Sequence, residues 1–279
     1  MNIIYMKKIK MISILLIVQF SLVKGQTDFN NIYRAIEVPS QKILNINIDG
    51  NLNDWNWIPD VYKYKLKDGV IYGEKLKKTD FEGYFSFAWS KETNWIYFIA
   101  SVKDDFLNVD TLRSHYFNDN IELAFYSGNC SINVDEPENL LWMSLLCLSK
   151  DNKTKGICTV LKGPDWVMKN VRFAKFNSSQ TKTKDGKFIT NYELGMSLWD
   201  DISKEGPEYS KELILKDNGY FRAYVFCIDY DRFFNTELKS SYSYYGGTWC
   251  SMPLVHLDPF ISSDYNQSNL EILLNSKTK

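Results

Sequence analysis

Apolar and polar residues alternate along most of this chain. In Asn120–Tyr126, Ile121, Leu123 and Phe125 alternate with Asn120, Glu122 and Ala124, as in a strand with one buried face. Phe81–Trp89 places Phe81, Phe85, Phe87 and Trp89 on one face, and Trp95–Asp104 runs back after the turn Ser90–Asn94, which predicts a central hairpin. Phe188, Thr190, Tyr192, Leu194 and Met196 share a face of another strand, entered through the turn Lys184–Lys187. Further strands are predicted at Lys42–Ile48, Leu140–Leu148, Gly156–Leu161, Val171–Phe176 and Tyr220–Ile228. Helical spacing is weak, and its best stretch is Ser210–Leu215.

About ten short strands separated by turns, without alternating helices, predict an all-β antiparallel sandwich. The expected core includes Phe85, Phe87, Ile121, Leu123 and Phe125. Residues 42–261 form the expected β domain, preceded by a loosely ordered lead-in at 26–41 and followed by a polar tail at 262–279. Trp55 and Trp57, in "NDWNWI", are expected to plug one end of the sandwich.

Composition adds two points. Aromatic residues make up 15% of the 279 residues, with 18 Tyr, 17 Phe and 8 Trp, which favours strands and supplies flat surfaces for binding. The 33 basic and 34 acidic residues leave a net charge of −1, so the basic footprint of a nucleic-acid binder is missing.

The first residues read as a targeting segment. Lys7, Lys8 and Lys10 precede the apolar run Met11–Val23, which is short for a membrane span and ends at small Gly25. A signal peptide at 1–25 is expected, leaving an exported protein (periplasmic, surface-bound or secreted) with no membrane span after cleavage, with an uncleaved anchor as the alternative reading. The chain has 5 Cys and no CxxC spacing, which argues against zinc and leaves any disulfide pairing open. Cys147, Cys158 and Cys227 lie in apolar strand-like runs and read as core residues.

The ordered set "NIDGNLNDWNWI" (Asn47–Ile58), "FAWSKETNWIYFIASVKDDFL" (Phe87–Leu107), "YFNDNIELAF" (Tyr116–Phe125), "YELGMSLWDD" (Tyr192–Asp201) and "GYFRAYVFCIDYDR" (Gly219–Arg232) resembles the family 9 carbohydrate-binding modules, within the DOMON-like β-sandwich superfamily. The resemblance implies a non-catalytic protein that binds a terminal sugar of a glycan or oligosaccharide. On that pattern Tyr116 takes one wall of an aromatic sandwich, Trp249 in "GGTWCSMP" takes the other, and Glu122 accepts hydrogen bonds from sugar hydroxyls. The chemistry agrees, since a pyranose offers an apolar C–H face to a ring and hydroxyls to a carboxylate. Two departures stand out. Tyr116 occupies a position where the family carries Trp, and the basic or amide residue of the next strand has no counterpart in "LLWMSLLCL", where Trp142 and Ser144 are the residues able to face a ligand.

Acidic turns at Asp49–Asp54, Lys103–Asp105 and Ile228–Asp231 could hold calcium, and the resemblance implies structural calcium in some relatives; Asp49, Asp54 and Asp104 are the candidate ligands, with plain Asx-turns as the alternative reading. No nucleophile, zinc-protease or phosphate-loop motif appears among the sequence signals, and only 2 His are present, so no catalytic residue is assigned. The alternative function is a haem-binding electron-transfer domain of the same superfamily, with His115 and Met143, Met196 or Met252 as axial ligands.

Overall fold

In a computed structural model, residues 33–66, 70–73, 81–109, 118–127, 139–150, 153–229, 241–245 and 254–259 are described. The expected signal peptide and C-terminal tail lie outside them. The strands are β1 (Tyr33–Glu37), β2 (Tyr64–Lys65), β3 (Val70–Gly73), β4 (Phe81–Ser90), β5 (Trp95–Asp104), β6 (Asn120–Tyr126), β7 (Leu141–Lys150) and β8 (Lys153–Lys162). They continue as β9 (Ala174–Lys182), β10 (Phe188–Met196), β11 (Trp199–Asp201), β12 (Lys211–Glu212), β13 (Tyr220–Asp229), β14 (Ser241–Tyr245) and β15 (Leu254–Asp258). Helix is confined, among the described residues, to short pieces such as α1 (Ser40–Ile43) and α2 (Trp166–Lys169).

The main sheet runs β8-β7-β6-β13-β15-β1-β4-β5-β10-β9, with β14 joining β13 to β3 and β2 flanking β4. Every pairing is antiparallel except those of β1, which is parallel to both β15 and β4. The path folds over on itself, so that its ends approach each other. The Gly156 amide on β8 donates to Asn177 Oδ1 on β9 at 3.2 Å, and a Cβ on Gly156 would sit 2.8 Å from Asn177 Cα. Glycine is what lets these two backbones approach. The result is a sandwich that is nearly a barrel.

The interior is aromatic. Phe85, Phe87, Phe98, Phe125 and Phe221 are fully or almost fully buried, and their rings meet at 5.5–6.5 Å in mostly tilted or edge-to-face pairs. Ile121, Leu123, Met143 and Leu145 complete the same core from β6 and β7. All five expected core residues lie in it.

A second apolar cluster covers the outer face of the β4–β5 side. Ile36, Val38, Ala88, Tyr97 and Ile99 point there, and Trp55, Ile58 and Tyr62 pack on them from the segment before β2. Trp55 therefore lies against a sheet face and does not plug an end. Glu193 on β10 fastens this segment, because its carboxylate receives the N–H of Asp49 (2.9 Å), of Gly50 (2.8 Å) and of the Trp55 indole (2.6 Å). Gly50 has φ +87° and sits where a Cβ would meet the Ser178 carbonyl carbon at 2.6 Å, so the turn needs glycine twice over.

Three further sequence expectations change. Lys42–Ile48 is no strand, since it forms α1 and an irregular run whose Ile43, Ile46 and Ile48 pack on the outer cluster. Tyr33–Glu37, within the stretch read as a lead-in, is a central strand. Ser210–Leu215 is extended, with β12 in it, and is not helical.

Candidate functional site

Side chains alternate across a strand, so the buried face of β6 fixes the other face. Ile121, Leu123 and Phe125 enter the core, which leaves Asn120, Glu122 and Ala124 on the opposite face of the sheet, where all three are buried as well. Registers then set their neighbours. Glu122 lies between Phe226 on β13 and Ser144 on β7, and Ala124 between Tyr224 and Trp142. The outer faces of these strands carry a small cluster of Ala124, Leu140, Tyr126, Trp142 and Tyr224. Tyr224 and Phe226 follow one another along β13 with ring centroids 6.4 Å apart.

Glu122 and Trp142 meet in this row. The Trp142 indole N–H donates to Glu122 Oε2 at 3.0 Å, a diagonal cross-strand contact within reach of a large side chain. Glu122 is 1% exposed, and burial raises its carboxyl to about 7, against the opposing pull of the indole. Beside it, the fully buried Ser144 hydroxyl has no hydrogen-bond partner among the described residues. A carboxyl near its midpoint at neutral pH can either accept or donate, and it is held here by a fixed indole donor.

The two aromatic walls read from sequence fall outside the described residues. Their flanks are described. Tyr116 precedes Asn118–Asn120, which lead into β6. Trp249 belongs to residues 246–253, which join Tyr245, paired with Val225, to Leu254, paired with Arg222. Both ends of that connection sit on the edge of β13, the strand next to Glu122.

An acidic group lies at the end of the same strands. Asp104 ends β5, Asp119 precedes β6 and Asp229 ends β13; all are buried, and one carboxylate oxygen from each lies within 4.8 Å of the others. Asp119 is tied to Asn108 in both directions, accepting from its amide and donating its own N–H to the Asn108 carbonyl at 2.8 Å. The small cavity they line with Thr190, Tyr192 and Cys227 is close to the size that one water or ion needs. Like charges this close repel, and a donor set made only of carboxylates suits a hard divalent cation such as calcium.

Asp104 is thus one of the expected calcium ligands with acidic company, but not with Asp49 and Asp54. Asp49 accepts from the Asn51 amide at 2.7 Å and from the Asn47 side chain at 3.0 Å, while Asp54 accepts from the Asn47 amide at 3.0 Å. These are turn-forming bonds. Asp119 and Asp229 could not be recognised from the chain as partners of Asp104, because only the sheet order brings three strand ends together. Of the candidate haem ligands, Met143 and Met196 are fully buried in the core, facing away from Glu122, while His115 and Met252 lie outside the described residues.

No helix among the described residues is long and apolar enough to cross a membrane. No protein-family model and no curated protein matches the chain. Among solved structures, the chain is similar to a family 9 carbohydrate-binding module from Caldicellulosiruptor kristjanssonii in complex with glucose, at 12% identity and a TM-score of 0.46 over 84% of this chain and 98% of that one. It is also similar to a family 9 module from the same organism in complex with cellotriose, at 11% identity and a TM-score of 0.49 over 85% of this chain and 97% of that one.

Proposed function

We propose that this protein is an exported, non-catalytic glycan binder that holds a terminal sugar on the outer face of β6, β7 and β13. The observation that carries this reading is the Glu122–Trp142 bond, a buried carboxyl and an indole donor set side by side and flanked by Tyr224 and Phe226. Such a surface pairs ring faces for the C–H side of a pyranose with a fixed acceptor for its hydroxyls. Tyr116 and Trp249 are the two walls in this reading. The described flanks support it, because the chain segments bearing them start and end beside β6 and β13.

Asp104, Asp119 and Asp229 would hold calcium in the same reading. The ion would neutralise three buried carboxylates and brace the turn Asn118–Asn120, which connects the Tyr116 segment to β6. Its part is structural, keeping the sugar wall and Glu122 in register.

A glycan array probed with the protein tests the proposal. A defined set of bound glycans, lost in Glu122→Ala, supports it; no bound glycan, or an unchanged profile in the variant, contradicts it.

A further inference from the structure

Trp166 is fixed in place without being fully buried. Its indole N–H donates to the Ser203 carbonyl at 3.0 Å. The ring meets Trp199 edge to face at 5.0 Å and 86°, and Phe173 at 5.6 Å and 74°. Those contacts lock its orientation, as a binding platform requires, because little side-chain entropy is then left to lose when a ligand arrives.

The half-buried ring lines an open groove of about 750 Å³ between the α2 turn and the loop around Lys204. Val171 is 71% exposed beside it, and Pro164 and Pro207 add rigid apolar walls. The polar rim offers both kinds of partner. Asp165 and Lys169 form an ion pair at 3.0 Å, Asn170 uses its Oδ1 to accept from the Arg172 amide, and exposed Lys204 has no ion-pair partner among the described residues.

A flat aromatic, a strip of exposed aliphatic surface and a rim of mixed donors and acceptors match one ligand chemistry, a pyranose ring with one C–H face and a girdle of hydroxyls. The groove is open and not enclosed, so a sugar stacked in it can belong to a longer chain. Its lining comes from the β8–β9 and β11–β12 connections, with no residue of β6, β7 or β13 in it.

We infer that this groove is a second glycan-binding site, in which a pyranose stacks on Trp166 while Asn170 and Lys204 bond its hydroxyl or carboxylate oxygens. Two separate sites on one rigid sandwich would let the protein engage two glycan segments at once and gain avidity on a polymer.

The test is nuclear magnetic resonance of the protein labelled with ¹⁵N at tryptophan, with the Trp166 and Trp142 indole signals assigned through Trp166→Phe and Trp142→Phe. The probes are cellotriose, a neutral sugar, and trigalacturonate, an acidic one. The Trp166 signal should shift saturably with at least one probe, equally in the wild type and in Glu122→Gln. The double variant Val171→Ser, Lys204→Ser should weaken the response at Trp166 by about tenfold while leaving the Trp142 signal and the melting temperature unchanged. The inference is overturned if Trp166 does not move with either probe at about 10 mM, or if the double variant responds as the wild type does. Failure of the Glu122 site would appear separately, as a silent Trp142 signal.

Discussion

Trp55 donates its indole N–H to Glu193 at 2.6 Å, across 138 residues of sequence. With the amides of Asp49 and Gly50 on the same carboxylate, this bond holds the segment before β2 against the outer face of the sheet. Removing the acceptor strands three donors, two of them buried. Glu193→Ala should therefore cost about 3–5 kcal/mol in urea unfolding, and Glu193→Gln, which keeps one acceptor oxygen, clearly less. Equal costs for the two variants would show that the carboxylate is not the clasp.

Glu122 and Glu193 give the protein a definite pH dependence. Burial raises both carboxyls from the ordinary 4.5 to about 7. The folded state then holds more protons than the unfolded one between these values. Their contribution to stability is complete below about pH 4.5 and is lost as pH rises through 7. Each carries on the order of 3 kcal/mol over that window. Chemical denaturation from pH 5 to 8 should show this declining component, and Glu122→Gln, Glu193→Gln should flatten it.

The aromatic core predicts a large truncation penalty. Phe87 is fully buried among Phe85, Phe98, Phe125 and Phe221, so Phe87→Ala should lose about 3–5 kcal/mol by urea unfolding. A loss under about 1 kcal/mol would mean that the two sheet faces do not pack as described.

Much of this core was legible in the chain. Strand β6 follows from apolar core residues alternating with Asn120, Glu122 and Ala124, whereas the β4–β5 hairpin shows as two apolar runs around the turn Ser90–Asn94, its second face being dry because Ala88, Tyr97 and Ile99 lie under the Trp55–Tyr62 segment. Lys42–Ile48 deceived because Leu44, Ile46 and Ile48 stand two apart as a strand's residues would, yet Leu44 is 94% exposed while Ile43, Ile46 and Ile48 pack on a sheet face without pairing to any strand. β1 gave little signal, since a short parallel strand buried among neighbours lacks the alternation of an edge. In Ser210–Leu215 the period is two: Leu215 is 3% exposed while Ile214 is 69% exposed. At the site, Glu122 could be read from its strand. Asp119 and Asp229 could not be joined to Asp104, because sheet order alone makes strands β5, β6 and β13 end at one place.

Calcium should stabilise the protein through those ends. Calcium at a hundred times its dissociation constant should add about 2.7 kcal/mol, seen as a rise in melting temperature that chelation reverses. Asp229→Asn should blunt the response, and Asp49→Asn should leave it intact, since Asp49 serves a turn. An identical calcium response in Asp229→Asn would remove the three carboxylates from consideration.

The most direct measurement of the central claim is calorimetric titration of the protein with cellotriose and glucose, beside Glu122→Gln, Trp142→Phe and Trp249→Ala. Stacking with a few hydrogen bonds exchanged against water predicts a dissociation constant between about 1 μM and 1 mM for the wild type. Glu122→Gln and Trp142→Phe should weaken it at least about tenfold, and Trp249→Ala should abolish it, with circular dichroism unchanged. If all three variants bind with wild-type affinity, the sugar does not sit on the face formed by β6, β7 and β13.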